Sequence, residues 1–305
     1  MIRYITHPYI NKKKYDLCIN LDQSGLIYGY SWYLDVVCES WDALVMDDYD
    51  AVWPLPVRYK YGQKYFFRPT AVQQLGIFTK KPLAEKQWQA FAEKLMEHCA
   101  LADVYLNEGQ NLPAVPKAKV AGQTNYLLSL NRSYQEIYKN YSNNLRRNIR
   151  KGEKSEWQLF EHDSPEVLIK LFAENRGSSV KLPRRFYQDM KQIMFTLIHK
   201  GLGEVWTVYG GPNEVCAGAF WLKHKGRATF LFSGVNSWGK TYNAMPYLIN
   251  EYIIYNCEKI KTLDFEGSNQ EGLGRFYRSF GSEAVSYQRL FVNNLPLPIR
   301  WLKKM

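Results

Sequence analysis

The stretch that decides the fold runs from Glu204 to Gly234 and reads EVWTVYGGPNEVCAGAFWLKHKGRATFLFSG. It holds three runs rich in aromatic and β-branched residues, the composition typical of strands: Glu204–Tyr209, Val215–Lys223 and Arg227–Gly234. Gly-Gly-Pro-Asn separates the first two runs and Lys-Gly the last two, and both are turn signals. The stretch therefore predicts an antiparallel meander of three strands.

Strand and helix patterns lie on both sides of this meander. Before it we predict a strand and two helices, and after it a helix, a strand, a helix and a strand. Their ranges are Trp157–Phe160, Ser164–Arg176, Pro183–Lys200, Pro246–Lys259, Thr262–Phe265, Glu271–Phe280 and Ala284–Val292. Ser164-Pro165 is a good helix start, and Gly201 ends the second helix.

The first half of the chain repeats this order at an offset of about 160 residues. The predicted elements are Arg3–Thr6, Lys12–Leu21, Ser31–Glu39, the meander Ala43–Met46, Ala51–Tyr59 and Tyr65–Arg68, then Leu83–Ala100, Asp103–Leu106 and Asn125–Leu130. We predict an α+β protein with two tandem domains, residues 1–154 and 155–305, each a mixed, mostly antiparallel sheet flanked by helices. The alternative is that two α+β segments share an order by chance.

The composition indicates a folded protein that prefers anionic partners. The 305 residues are 46% hydrophobic, and 40 basic against 29 acidic residues give a net charge of +11. This charge favours nucleotides, coenzyme A, RNA or phospholipid surfaces, although many proteins this basic bind none of them. The five cysteines and five histidines have no metal or disulfide spacing, so we predict buried thiols and no metal. Without a long apolar run or a signal-peptide start, we expect a cytoplasmic protein.

Three short sequences fall in the predicted elements in a consistent order. They are Ser142–Lys154 (SNNLRRNIRKGEK), Leu263–Ser268 (LDFEGS) and Arg275–Gly281 (RFYRSFG). The first resembles the basic helix that joins the two domains of FemABX-type peptidyltransferases, and the second resembles the acidic strand and glycine of that group. The third resembles the Phe-Tyr-x-x-x-Gly helix of GNAT acyltransferases. The resemblance implies two tandem GNAT-like domains and an acyltransferase activity.

The loop before the long helix departs from the acyl-CoA pattern. In the acyl-CoA enzymes that the chain resembles, this loop is expected to have the pattern Gln/Arg-x-x-Gly-x-Gly/Ala. Its backbone N–H groups and the helix N-terminus then hold pyrophosphate. This chain has Asn236–Ala244, NSWGKTYNA, in which Gly239, Lys240 and Asn243 are the candidate cofactor-binding residues. No tightly bound cofactor is predicted. The donor is left open between acyl-CoA and aminoacyl-tRNA.

Asp264, Glu266 and Tyr277 are the candidate catalytic residues. Asp264 and Glu266 lie two apart on a predicted strand and should point to one face, where a carboxylate holds or deprotonates an amine. The resemblance implies that Tyr277 corresponds to a tyrosine that protonates the leaving group. The alternatives are that one carboxylate caps a helix or forms a salt bridge and that Tyr277 is a structural core residue.

A basic stripe is the candidate substrate-binding surface. Ile137, Tyr141, Leu145 and Ile149 recur every four residues and should pack inward. The stripe, on another face of the same predicted helix, comprises Arg147, Arg150, Lys151 and Lys154, and we expect it beside an interdomain cleft. Arginine forks suit phosphate, so it would hold a nucleotide, tRNA or lipid pyrophosphate; a solvated face is the alternative.

Two further segments supply candidates for ligand binding. Ser268 and Asn269 follow the acidic strand and are candidate substrate-binding residues. Aromatic residues alternate with basic ones in Arg58–Tyr61 and Lys64–Arg68, a pattern that suits stacking on bases but is also typical of strands in a core.

We predict an N-acyltransferase or aminoacyltransferase. It would move an acyl group from an anionic donor, acyl-CoA or aminoacyl-tRNA, to an amine by direct attack, with a cell-wall precursor as one candidate acceptor. A catalytically silent nucleotide- or RNA-binding protein with the duplicated fold is the competing hypothesis. The oligomeric state is left open.

Overall fold

The chain forms two compact units. The computed structural model describes residues 1–60, 62–112, 118–180, 182–211, 213–267 and 269–295. Unit 1 contains Met1–Gln123 and the segment that starts at Ser286, and unit 2 contains Thr124–Val285. This division differs from the predicted boundary at residue 154, for a reason that lies in the strand pairing.

Unit 1 is a mostly antiparallel sheet flanked by helices. Its elements are β1 (Ile2–Ile5), α1 (Lys12–Leu21), α2 (Ser31–Val37), β2 (Trp41–Met46), β3 (Ala51–Lys60), β4 (Gln63–Phe66), β5 (Phe78–Thr79), α3 (Glu85–Glu97) and β6 (Leu101–Tyr105). Strands β2, β3 and β4 form the predicted meander, and β6 lies parallel to β4. Trp53, Phe66 and Phe91 are fully buried in its core.

Unit 2 repeats this architecture with more helices. Its elements are β7 (Ala118–Ser129, which enters the unit at Thr124), α4 (Tyr134–Lys139), α5 (Asn143–Gly152), β8 (Gln158–Glu161), α6 (Pro165–Phe172), α7 (Ser178–Val180), α8 (Arg184–His199), β9 (Gly203–Gly210), β10 (Glu214–His224), β11 (Arg227–Val235), α9 (Ser237–Thr241), α10 (Ala244–Asn256), β12 (Thr262–Asp264), α11 (Glu271–Ser279) and β13 (Glu283–Asn293, which leaves it after Val285). The sheet order from β7 is β7-β12-β11-β10-β9-β8.

The predicted meander of unit 2 is confirmed. Strands β9, β10 and β11 pair antiparallel in sequence order, and β12 then lies parallel to β11. Helix α10 packs on this sheet, where Tyr252 stacks on Trp221 with ring centroids 3.6 Å apart. Ser164 caps α6 as predicted, since its side chain accepts a hydrogen bond from the backbone N–H of Glu166.

The last strand of each sequence half completes the sheet of the other half. Residues Leu127–Ser129 of β7 pair with β12 in unit 2, whereas residues Arg289–Asn293 of β13 pair with β6 in unit 1. The Arg289 guanidinium also binds Asp103 with N–O distances of 2.7 and 2.9 Å, and this hydrogen bonding raises the pKa of Arg289. The exchange explains why the compact units do not follow the sequence halves.

The predicted junction helix is two helices within unit 2. It breaks after Lys139, and Ser142 caps the second helix, α5, by accepting a hydrogen bond from the N–H of Leu145 at 3.2 Å. The predicted inward residues are all buried: Ile137, Tyr141, Leu145 and Ile149. The apolar spacing therefore predicts the packing face correctly although the helix is interrupted.

Two composition-based predictions concern cysteines and membranes. All five cysteines are free thiols; Cys257 is half-buried, and the other four are buried as predicted. Among the helices of the described ranges, none combines the length and the apolar character needed to cross a membrane.

Candidate functional site

Asp264, at the end of β12, is fully buried and paired. Its Oδ2 accepts hydrogen bonds from Nε and Nη2 of Arg227 at 2.8 and 2.6 Å, and its Oδ1 accepts one from the backbone N–H of Glu266 at 2.8 Å. A buried carboxylate held by an arginine and a backbone N–H is firmly anchored. The salt-bridge alternative therefore describes Asp264, which fixes the turn that follows β12.

The prediction that Asp264 and Glu266 lie on one strand is wrong, so the alternation that placed them on one face does not apply. That alternation requires both residues to be in an extended strand, but β12 ends at Asp264 and Glu266 has a left-handed φ of 53°. Gly267 follows with φ 44°, and a Cβ at this position would lie 2.0 Å from the carbonyl oxygen of Thr124. The tight turn places Glu266, half-buried, beyond the end of the strand.

Tyr277 lies on α11 close to this turn. Its ring stacks on that of Phe265 with centroids 4.9 Å apart, and only 8% of the residue is exposed. Burial raises the pKa of the Tyr277 phenol well above its usual value; the charge of Glu266 raises it further, and that of Arg176 lowers it. The phenol is therefore protonated at neutral pH, and the charges of Glu266 and Arg176 both act on it.

Strand β12 ends at this turn, while its neighbour β11 continues beyond it. They pair in parallel only over Arg227–Thr229 and Thr262–Asp264, whereas β11 continues to Val235. The register between β10 and β11 shifts where Phe232 and Phe230 pair with consecutive residues, so Leu231 is the extra residue of a bulge. Bulges recur next to active sites, and open sheets bind ligands at the carboxyl ends of parallel strands. This edge is the candidate reaction centre.

Arg176 comes from a π-helical turn that the sequence does not predict. Residues Ala173–Gly177 continue α6 as this turn, which packs on β11. The fit is close, because a Cβ on Gly234 of β11 would lie 3.1 Å from the backbone nitrogen of Phe172. Single π-helical turns are frequent at functional sites.

The loop between β11 and α10 contains the short helix α9. The Asn236 side chain accepts a hydrogen bond from the N–H of Gly239 at 2.7 Å, and a Cβ at position 239 would lie 2.2 Å from the carbonyl oxygen of Cys216. The N–H of Gly239 is thus engaged with Asn236 rather than directed at a pyrophosphate. Lys240 is exposed, and Asn243 precedes α10 with φ 61°.

The basic stripe ends beside the N-terminus of α10. A Cβ on Gly152, the last residue of α5, would lie 3.2 Å from the carbonyl oxygen of Asn243 and 3.3 Å from Cβ of Tyr247. All members of the stripe are exposed: Arg147, Arg150, Lys151 and Lys154. Since a helix N-terminus carries partial positive charge, the stripe and this helix end form one electropositive corner. The stripe belongs to unit 2 itself.

A groove separates α5 from α11. It has a volume of about 360 Å³ and is lined by Asn144, Leu145, Asn148, Gly272, Arg275, Phe276 and Ser279. The backbone N–H of Ser142 donates to the carbonyl oxygen of Ser279 at 2.9 Å, so the start of α5 meets the end of α11. Both helices contribute residues to the lining of the groove.

The other predicted residues are placed as follows. Ser268 lies outside the described residues, and Asn269 accepts a hydrogen bond from the N–H of Thr124 at 3.1 Å. In the aromatic and basic run of unit 1, Tyr61 lies outside the described residues and Phe66 is buried. The guanidinium of Arg58 lies 4.0 Å from the ring centroid of Phe67. Among the described residues of the run only Phe66 follows the core interpretation, since Tyr59 is 67% exposed and Tyr65 and Phe67 are half-buried.

A protein-family model matches the part of the chain that builds this site. Residues 139–275 match the family described as acetyltransferase (GNAT) domain. This part of the chain is similar to GNAT acyltransferase domains. The match spans α5, the meander, α10, β12 and most of α11, and it confirms the predicted enzyme class. No curated protein sequence matches the chain at a significant level.

Solved structures extend the similarity to the whole chain at the level of fold. FemX superposes with a TM-score of 0.66 at 11% identity, covering 98% of this chain and 99% of FemX. A conserved protein of unknown function from Bacteroides thetaiotaomicron gives 0.61 at 10%, covering 95% and 99%. The C-terminal domain of a putative lysylphosphatidylglycerol synthetase from Agrobacterium fabrum gives 0.55 at 10%, covering 95% and 94%. The predicted tandem GNAT-like fold is confirmed, and it is shared with FemX.

Several residues of the candidate site are not identified by the sequence patterns. Asn236 has a visible signal, because an asparagine three residues before the N–H that it accepts is typical of a helix cap. Arg176 and Asn148 have no local signal, because Arg176 lies on the π-helical turn and Asn148 lines a groove that α5 forms with α11.

Proposed function

We propose that this chain transfers an acyl or aminoacyl group from an anionic carrier to an amine in unit 2. The observation that carries the proposal is that the GNAT match includes both the end of β12, beyond which β11 continues, and the electropositive corner at the N-terminus of α10. A carrier with several phosphates would bind the corner and present its acyl group to the open edge. Cytoplasmic location is part of the proposal, since both candidate carriers occur there.

In the proposed reaction the acceptor nitrogen attacks the acyl carbonyl directly. The C–N bond forms and the bond to the carrier breaks, with no covalent enzyme intermediate. Glu266 takes the proton that the attacking nitrogen loses, and Tyr277, protonated because its pKa is raised, donates a proton to the leaving group. Asp264 holds the turn through Arg227 and does not serve as the base. Asn269 and Ser268 remain proposed contacts for the substrate.

Aminoacyl-tRNA is the carrier that we propose to test first. Binding of coenzyme A through the loop would need free backbone donors, but the N–H of Gly239 is bound to Asn236. The stripe spans seven residues of helix from Arg147 to Lys154, about 10 Å, which suits successive phosphates of a strand. The acceptor is an amine, and a cell-wall precursor is the first candidate because FemX shares the fold.

Transfer itself is the test. The purified chain is given charged tRNAs and, separately, acyl-CoAs together with a panel of amines, and amide products are detected by mass spectrometry. We expect amide formation with at least one charged tRNA and its loss in Glu266→Gln. If acyl-CoA alone supports turnover, the carrier assignment is wrong. If no donor of either class reacts, the enzyme proposal gives way to the second candidate.

The second candidate is a silent nucleotide- or RNA-binding protein. The engaged N–H of Gly239 favours it, because the backbone donors expected of an acyl-CoA loop are not offered there. It predicts binding of uncharged tRNA with no turnover of any charged one. Calorimetric titration with tRNA beside the transfer assay separates the two candidates.

A further inference from the structure

The groove between α5 and α11 combines an apolar floor with polar walls. Leu145 is buried and Phe276 half-buried at its base, while the amides of Asn144 and Asn148 and the guanidinium of Arg275 line it. Gly272 leaves one end open, since a Cβ there would meet nothing within 4 Å. Pockets with this mixture and a volume of this order hold small ligands.

Positive charge borders the groove along α5. Asn144, Asn148 and Lys151 lie four and three residues apart, so they share one helix face. Arg147 is held next to this face, because its Nη2 donates to Asn144 Oδ1 at 2.7 Å. On the other wall Arg275 is exposed, and its only ion pair among the described residues is a long one, 3.9 Å to Glu271. Arg275 therefore lines the groove with an exposed guanidinium, and Arg147 adds positive charge through its contact with Asn144, a lining residue.

We propose that this groove binds an adenosine nucleotide. The amide of an asparagine pairs with the N6 and N7 edge of adenine, an aromatic face such as Phe276 stacks on a base, and arginines bind phosphate bidentately. The inference rests on the proposed function, because each candidate carrier contains this group: coenzyme A is built on a phosphorylated adenosine, and tRNA ends in adenosine. The shared ligand is the adenine base with its ribose phosphate.

Nucleotide binding is measured without any turnover. The full chain is titrated with AMP, UMP and inorganic phosphate, and binding is followed by calorimetry. We expect AMP to bind at least about tenfold more tightly than UMP or phosphate, the size of one base contact. Arg275→Gln and Asn148→Leu should each weaken AMP binding by about 5- to 100-fold. Arg132→Gln removes an exposed arginine outside the groove and should change nothing.

Two larger probes identify the source of the nucleotide. Adenosine 3′,5′-bisphosphate represents coenzyme A, and the trinucleotide CCA represents the tRNA end; the tighter probe names the carrier. Equal affinity for AMP, UMP and phosphate, or AMP binding that both groove variants leave unchanged, would overturn the inference. Acyl transfer without selective AMP binding removes this inference and leaves the proposed function standing. Selective AMP binding without acyl transfer supports this inference and removes the proposed function.

Discussion

The two units share one order of elements but differ at the carboxyl ends of corresponding strands. In unit 1 the chain after β4 returns to the end of β6: the N–H of Leu75 donates to the carbonyl oxygen of Tyr105 at 2.8 Å, and Trp53 Nε1 donates to that of Leu75 at 3.1 Å. A buried loop thus occupies the place next to the strand end. In unit 2 the corresponding edge, beside Asp264, has no such loop in the described residues.

The residue two positions after each strand shows what the difference means. In unit 1 it is Asn107, fully buried, whose Oδ1 accepts a hydrogen bond from the N–H of Gly76 at 2.8 Å and so holds the loop. In unit 2 it is Glu266, half-buried in the turn after β12. An amide that ties down a loop closes the edge of unit 1, whereas unit 2 has a carboxylate at the corresponding position. The duplicated fold therefore keeps one closed copy and one open copy.

The largest expected effect comes from cutting the chain after Ser155. This fragment loses Arg289–Asn293, the strand that pairs with β6 and completes unit 1. Its β6 edge and apolar core should be exposed, so we expect aggregation and no cooperative unfolding. The matched fragment Thr124–Val285 contains the whole of unit 2 and should stay soluble. Gel filtration and thermal unfolding check both, and a monomeric, cooperative first fragment would contradict the role given to the exchanged strand.

Loss of the open-edge residues should abolish most activity. Glu266→Gln keeps the shape of the side chain but removes its charge, and the chemical rate should fall by roughly 10²- to 10⁴-fold, as for other general bases. Tyr277→Phe should matter most with a poor leaving group such as a ribose hydroxyl. Because burial raises the pKa of Tyr277, its contribution should persist to alkaline pH and be lost only above the usual tyrosine range.

The closed copy supplies the control for this experiment. Glu108→Gln removes a carboxylate that follows the corresponding strand of unit 1, and it should leave the single-turnover rate unchanged. Wild-type rates in both unit 2 variants would move the reaction centre away from the end of β12. A large loss in Glu108→Gln would show that the closed edge also takes part.

Sequence patterns predict the copies well but not the difference between them. The meanders, the Ser164 cap and the inward face with Leu145 and Ile149 depend on local composition and spacing, which a short window contains. The exchange of β7 and β13 and the bulge at Leu231 depend on which strands pair over long separations. Asp264 and Glu266 have the spacing of one strand face, yet the strand stops between them.

Removing the basic stripe should change the salt dependence of tRNA affinity, whereas removing the same charge from unit 1 should not. Changing Arg147, Arg150 and Lys151 together to alanine should weaken tRNA binding by about 10- to 100-fold at moderate salt. The slope of affinity against salt should flatten by up to about 0.9 for each phosphate that the variant no longer neutralises. The control changes Lys13, Lys81 and Lys86, exposed residues of unit 1, and removes the same charge. Identical salt slopes in the two variants would reduce the stripe to a solvated face.

The smallest expected effect comes from adding one methyl group to each unit, at the closed edge of unit 1 and on α11 of unit 2. A Cβ on Gly76 would lie 2.6 Å from the backbone nitrogen of Asn107, so Gly76→Ala should overpack the closed edge and cost about 1–3 kcal/mol. Gly272→Ala adds the same atom in α11 where nothing lies within 4 Å, and alanine's higher helix propensity should stabilise the chain by up to about 1 kcal/mol. Urea midpoints at constant slope measure both changes. Changes of opposite sign in the free energy of unfolding support the comparison. If Gly76→Ala leaves stability unchanged, the loop of unit 1 adjusts easily and its edge is closed only loosely.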